Sequence, residues 1–265
     1  MRMGESRIGD SEGVVSASAA ERLIVALDFG KKEEALGLVG RLEGIVSFYK
    51  VGLELFMAEG HRMLDELVKR NKHIFLDMKM DDVEETISRA VAQVARLNVD
   101  FLTILGSGAT ARAAVKGRGA SSRPKILSVT LLTSLNEQDL RDIGLLGKAG
   151  SKFQNLEEYV EWRAEQALDS GCDGVITSGQ NVGQLSRRFG SRTPRPVFVC
   201  PGIRPGGLAK EDHKRPSTPY DAIVNGADYL VVGRPIRNSA SPGDTAREII
   251  SDIERGLRDR DAKSC

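Results

Sequence analysis

The stretch from Phe75 to Thr86, FLDMKMDDVEET, passes from apolar residues into four charges within six positions: Asp77, Lys79, Asp81 and Asp82. Asp77 and Lys79 are two apart, and a strand turns residues i and i+2 to one face with Cα atoms roughly 7 Å apart. A carboxylate and an ammonium placed in that way can touch one shared ligand. The acids Asp77, Asp81 and Asp82 could by themselves hold Mg²⁺, but Lys79 in their midst would repel it. Polar residues also close other apolar runs: Asp28 after LIVAL, Lys50 within FYKVG, Thr133 and Ser134 after ILSVTLL, Arg204 after VFVCPGI, and Arg234 in VVGRPI. Any one of them reads equally well as an ion pair closing the end of a sheet. As a set they read as a site, because charges gathered at several strand ends cost desolvation that packing alone would avoid. Gly233 and Arg234, after the last run, offer backbone N–H groups and a guanidinium fork suited to phosphate. No metal or cofactor is expected. His61, His73 and His213 have no paired spacing, and GSGATAR (106 to 112) is too weak for a nucleotide fingerprint.

These residues need elements to carry them. Short apolar runs recur at 23–29, 46–52, 73–79, 99–105, 125–132, 174–179, 196–202 and 229–234, with helical spacing between them, as in EETISRAVAQVARL. Continuous rather than alternating hydrophobicity marks strands covered on both faces, as in parallel sheets. Eight β/α units in order, with no break that would serve as a linker, predict a single-domain α/β fold, a (β/α)₈ TIM barrel, over a doubly wound sheet. The long connections 106–124, 133–158 and 203–222 each follow a strand, at the mouth where barrel enzymes keep their sites. The expected boundaries are a flexible tail over 1–20, the barrel over 21–258 and a frayed end over 259–265.

Composition bounds the function. Thirty-eight basic and 37 acidic residues give a net charge of +1, with no nucleic-acid footprint. No apolar run reaches the roughly 18 residues that a membrane span needs. Cys172, Cys200 and Cys265 are odd in number and widely spaced, which suggests neither a disulfide framework nor a zinc site and fits a reducing cytoplasm.

In order and spacing, LIVALDF, FYKVGLELF, FLDMKMDDVEET (a form of D-x-K-x-x-D), VTLLTS, CPGIRP and YLVVGRPI resemble the bacterial orotidine 5′-monophosphate decarboxylases, from about residue 22 to about 250. The resemblance implies a cofactor-free lyase of pyrimidine nucleotide synthesis that converts orotidine 5′-monophosphate to UMP as a homodimer with sites at the subunit interface. Carried onto matching positions, it implies that Asp28 and Lys50 bind ribose hydroxyls, Asp77 lies beside the substrate carboxylate and Lys79 donates a proton to C6. Asp82 and Thr86 would reach into the partner's site. Thr133, with Ser134, would face the pyrimidine edge, and Arg204, Gly233 and Arg234 would lie in the phosphate region.

The chain also departs from the family pattern. Asp81 stands in place of a histidine, Val83-Glu84 replaces Ile-Pro, and Leu105 replaces a strand-four histidine. His213 aligns with a phosphate-loop glutamine and could donate only one hydrogen bond in its place. Two other readings accompany this one. Mg²⁺-dependent sugar-phosphate synthases and decarboxylases share D-x-K-x-x-D, although the LLTS and PGIRP segments argue against them. A non-catalytic nucleotide-binding paralogue would keep binding without turnover.

Overall fold

The structure, a computed structural model, describes residues 17–106, 108–147, 151–206 and 217–263. Eight strands close in sequence order into a parallel barrel: β1 (Leu23–Ala26), β2 (Phe48–Gly52), β3 (His73–Met80), β4 (Phe101–Ile104), β5 (Lys125–Val129), β6 (Gly174–Ile176), β7 (Val197–Cys200) and β8 (Tyr229–Val232). Pairing of β1 with β8, Leu23 opposite Leu230, closes the ring.

Helices alternate with the strands: α1 (Lys32–Arg41), α2 (Leu53–Glu59), α3 (His61–Lys69), α4 (Glu84–Val94), α5 (Gly108–Arg118), α6 (Glu137–Asp142), α7 (Leu156–Asp169), α8 (Val182–Phe189), α9 (Pro219–Val224), α10 (Arg234–Arg237) and α11 (Pro242–Ala262). The stretches expected as long connections at 106–124 and 133–158 are therefore partly helical, holding α5, α6 and the start of α7. The last helix continues through 259–262. At the other end, Ala19 is already buried, just ahead of a 3₁₀ turn over Ala20–Arg22.

Period-2 alternation splits the apolar residues into two layers. Ile24, Phe48, Phe75, Phe101, Leu127 and Tyr229 fill the inside of the barrel, and the aromatic rings of Phe48, Phe101 and Tyr229 meet at 5.1–5.9 Å. Their outward neighbours, such as Val25, Tyr49, Ile74 and Leu102, pack beneath the helices. Helix α4 buries Ile87, Val91 and Val94, one stripe at helical spacing. It lies so close to α5 that a Cβ at Gly117 would stand 2.2 Å from the Ser88 carbonyl oxygen.

Three aspartates tie the lower rim together. Asp100, Asp173 and Asp228 each precede a strand residue, and each makes the same pair of bonds to the preceding strand. Their backbone N–H groups donate to Ile74 O, Ile126 O and Phe198 O at 2.8–2.9 Å. Their carboxylates accept from the N–H of those same residues at 2.8, 2.7 and 2.9 Å. An arginine meets each carboxylate: Arg123, Arg118 and Arg195 respectively.

Candidate active site

The upper rim carries the reverse arrangement, with inward-facing polar residues above the aromatic layer. Lys50 is the in-facing residue of β2 after Phe48, Asp77 follows Phe75 on β3, and Asp28 lies two residues beyond the end of β1. They form a chain of alternating charge. Lys50 Nζ lies 2.8 Å from Asp28 Oδ1 and 3.6 Å from Asp77 Oδ2, and Lys79 Nζ lies 2.8 Å from both Asp77 oxygens. Gly52 leaves the space for this: a Cβ there would come within 2.9 Å of Lys50 Nζ and 3.5 Å of Asp28 Oδ1. Burial by itself would raise the Asp77 carboxyl. The Lys50 and Lys79 ammoniums, with hydrogen bonds from Lys79 and Thr103, outweigh it and hold the group below the usual carboxylate range.

The strand that delivers Asp77 and Lys79 is not the regular one that their spacing suggested. Leu76 pairs with Leu102 and Met80 with Ile104, so residues 77–79 of β3 bulge opposite Thr103 alone. Lys79 sits in the left-handed region at φ +48°, a conformation that costs an L-residue about 1–2 kcal/mol. Thr103 fills the gap in the ladder. Its hydroxyl oxygen accepts the Lys79 N–H at 2.9 Å and its O–H donates to Asp77 Oδ1 at 2.8 Å.

Beside this array lies a cavity of about 300 Å³, with Phe75, Val129, Ile176 and Val231 as an apolar floor and Lys50, Asp77 and Lys79 as a charged wall. Leu131, Leu132, Thr133 and Ser134 after β5, with Pro201 after β7, complete the lining. The mouth above β4 and β5 is braced by Arg163 of α7, which donates to Gly106 O at 3.0 Å, Val129 O at 3.3 Å and also Leu105 O. One wall thus presents both signs of charge to a chamber that is otherwise apolar apart from Thr133 and Ser134, suited to a small ligand with an apolar face and a charged or polar group.

Of the expected site residues, Asp28, Lys50, Asp77, Lys79, Thr133 and Ser134 come together here. Gly233 joins them as the N-cap of α10, where a Cβ would be 3.6 Å from Asp28 Oδ2, and Arg234 is the first residue of that helix. Arg204 follows β7, its N–H donating to Ser217 O at 2.9 Å. Asp82 and Thr86 are exposed and do not line the cavity of their own chain; the Asp82 carboxylate accepts the Val83 N–H at 2.6 Å. His213 lies outside the described residues. Among the departures, Asp81 accepts a hydrogen bond from Thr110 Oγ1 at 3.2 Å, in a corner where Gly106 admits no Cβ. Sequence reasoning missed Thr103 and Arg163. The signal for Thr103 was present: it is a hydroxyl two residues beyond Phe101, on the inward parity of an otherwise apolar run.

Comparison with known proteins finds relatives of the whole barrel. A model of the orotidine 5′-phosphate decarboxylase / HUMPS family matches residues 21–249. An orotidine 5′-phosphate decarboxylase of Nitrobacter winogradskyi is 44% identical over 241 residues, covering 91% of this chain and 95% of the relative. One from Methylococcus capsulatus is 45% identical over 237 residues, covering 88% and 92%. The crystal structure of orotidine 5′-phosphate decarboxylase from Lactobacillus acidophilus superposes with a TM-score of 0.73 at 31% identity, covering 88% of this chain and 99% of that one. Matched along nearly all of its barrel, the chain belongs to the orotidine 5′-phosphate decarboxylase / HUMPS family.

Proposed function

We propose that the protein decarboxylates orotidine 5′-monophosphate to UMP without a cofactor, and that Lys79 supplies the proton. The observation that carries this reading is the Lys79 ammonium held 2.8 Å from both oxygens of Asp77 on the wall of an apolar-floored cavity. In the reaction the bond from C6 to the carboxylate carbon breaks, CO₂ leaves, and the electron pair stays on C6 in the plane of the ring. The π system cannot absorb that pair, so the site must lower the barrier by something on the order of 20 kcal/mol. An ammonium fixed beside C6 stabilises the developing carbanion and then protonates it, forming the C6–H bond. Lys79 afterwards regains its proton from solvent.

Asp77, held ionised, faces the substrate carboxylate and orients Lys79. Asp28 and Lys50 bind the ribose hydroxyls, and Thr133 and Ser134 meet the pyrimidine edge. Arg204, His213, Gly233 and Arg234 take the phosphate, whose remote binding energy serves the transition state. Asp82 and Thr86 complete the site of a partner subunit. This last point is supported by their exposure on their own chain and by three exposed apolar side chains in the two adjacent units that follow β2 and β3, Leu53, Met57 and Val83.

The test is the loss of orotidine 5′-monophosphate absorbance with purified protein, with and without EDTA. Turnover to UMP that EDTA does not touch is expected, and Lys79→Ala should abolish it while UMP binding survives. EDTA-sensitive activity on sugar phosphates instead would transfer the chain to the Mg²⁺-dependent branch of the family. UMP binding without turnover by the unaltered protein would make it a non-catalytic paralogue.

A further inference from the structure

We propose that Thr103 is a positioning residue whose single hydroxyl sets the mutual geometry of Asp77 and Lys79. The inference rests on the reading of those two residues as the working pair.

The β3 bulge creates the need. With residues 77–79 facing Thr103 alone, and with Met80 rejoining the ladder opposite Ile104, the Lys79 N–H is directed to the Thr103 side chain rather than to a β4 carbonyl. Thr103 is fully buried, so an N–H left without that oxygen would be an unsatisfied donor in the interior. The same oxygen has one proton to give. Because the Lys79 N–H already occupies a lone pair, that proton points to Asp77 Oδ1, 2.8 Å away. The hydroxyl therefore ties three things in series: the left-handed backbone of Lys79, the rotamer of the Asp77 carboxylate, and β4. The Lys79 ammonium folds back onto the same carboxylate, so the loop from its backbone to its amine closes through Thr103 and Asp77. Removing the hydroxyl frees both ends of that loop at once.

Thr103 touches the pair but does not line the cavity, so its influence falls on the chemical step and not on substrate affinity. A threonine kept only to fill space or to steady the strand would behave differently, and the hydroxyl can be separated from the methyl.

The experiment compares Thr103→Val, which keeps the shape and removes the hydroxyl, with Thr103→Ser, which keeps the hydroxyl and removes the methyl. kcat and KM for orotidine 5′-monophosphate, the Kd for UMP and the melting temperature are measured for each. Thr103→Val is expected to lose about 10²-fold in kcat, the scale of a small misplacement of reacting groups, with KM and the UMP Kd within about threefold of the parent. Thr103→Ser should recover kcat to within about threefold. If Val does not fold, Thr103→Cys, with a poorly bonding thiol of similar size, takes its place and carries the same expectation. Unchanged kcat in the folded hydroxyl-free variant overturns the proposal, as does an equal loss in the Ser variant or a matching loss of UMP affinity. Failure of the unaltered protein to turn over would instead remove the functional reading itself, and the two failures are distinct.

Discussion

At the scale of single residues, Asp77 decides how the site responds to acid. Two ammoniums at 2.8 and 3.6 Å and a hydroxyl donor overcome its burial and hold its carboxyl below the ordinary value of 3.8. In the unfolded chain that value returns, so below it unfolding takes up a proton. The contribution of Asp77 to stability is therefore complete above the ordinary value and is lost as the pH falls through the lower, folded one. Asp77→Asn removes this dependence and leaves Lys50 and Lys79 facing each other without their shared counter-charge. Its melting temperature should be below the parent's at neutral pH, and the two should converge as the pH falls from the ordinary carboxylate value through the lower, folded one. Parallel melting curves across that range would contradict the assignment. The charges of the array were legible in the sequence, because an Asp or Lys ending an apolar run stands out. Thr103 was not, since threonine is ordinary in a strand and its importance comes from a bulge that D-M-K, alternating in the normal way, gives no hint of.

At the scale of elements, all eight strands were legible because a parallel strand buried on both faces must be apolar throughout. Their upper ends were not. The apolar runs at 23–29 and 125–132 outlast β1 and β5, which end at Ala26 and Val129 with one further backbone bond each, from Leu27 N–H to Lys50 O and from Thr130 N–H to Ile176 O. Leu131 stays buried past the ladder while lining the cavity, and hydrophobicity does not separate a paired residue from one lining a mouth. Helix α5 was read as part of a connection because its small residues Ala111, Ala113 and Ala114 give only a faint amphipathic stripe. The lower rim was also unread, although VDF, CDG and ADY repeat the same placement of an aspartate before or at a strand start. These aspartates bind strand to strand at the face opposite the chemistry, where a barrel keeps its stability determinants. Asp228→Ala removes the acceptor of Arg195 Nη1, which lies 2.9 Å from both carboxylate oxygens, and strands the Phe198 N–H. A loss of about 3 kcal/mol is expected in urea unfolding, with kcat unchanged in the folded fraction. A comparable loss of kcat would mean that the lower rim communicates with the site.

At the scale of the whole molecule, the barrel of one chain leaves the proposed array incomplete. Asp77 alone flanks Lys79 within the described residues, while Asp82, three residues on, points its carboxylate to its own backbone at the surface. Beside it Val83 is 68% exposed, and Met57 and Leu53 on α2, the helix after the adjacent strand, are 73% and 49% exposed. An apolar group of this kind bordered by charge is what a two-fold interface buries, and such an interface makes each contact twice. If Asp82 serves the neighbour's Lys79, two separately inactive variants should repair each other. Lys79→Ala and Asp82→Ala are each expected to lose nearly all turnover. Unfolding and refolding an equal mixture makes half of the dimers mixed, and each mixed dimer has one site with both residues intact and one with neither. Activity should therefore return to about a quarter of the parent's. If Asp82 instead acts within its own chain, every site of the mixed dimer carries one defect and nothing returns. Met57→Glu, which places charge in the apolar group, should shift the chain toward monomer in sedimentation velocity and lower turnover in parallel. A monomer that kept full activity would show that one barrel suffices and that Asp82 serves no partner.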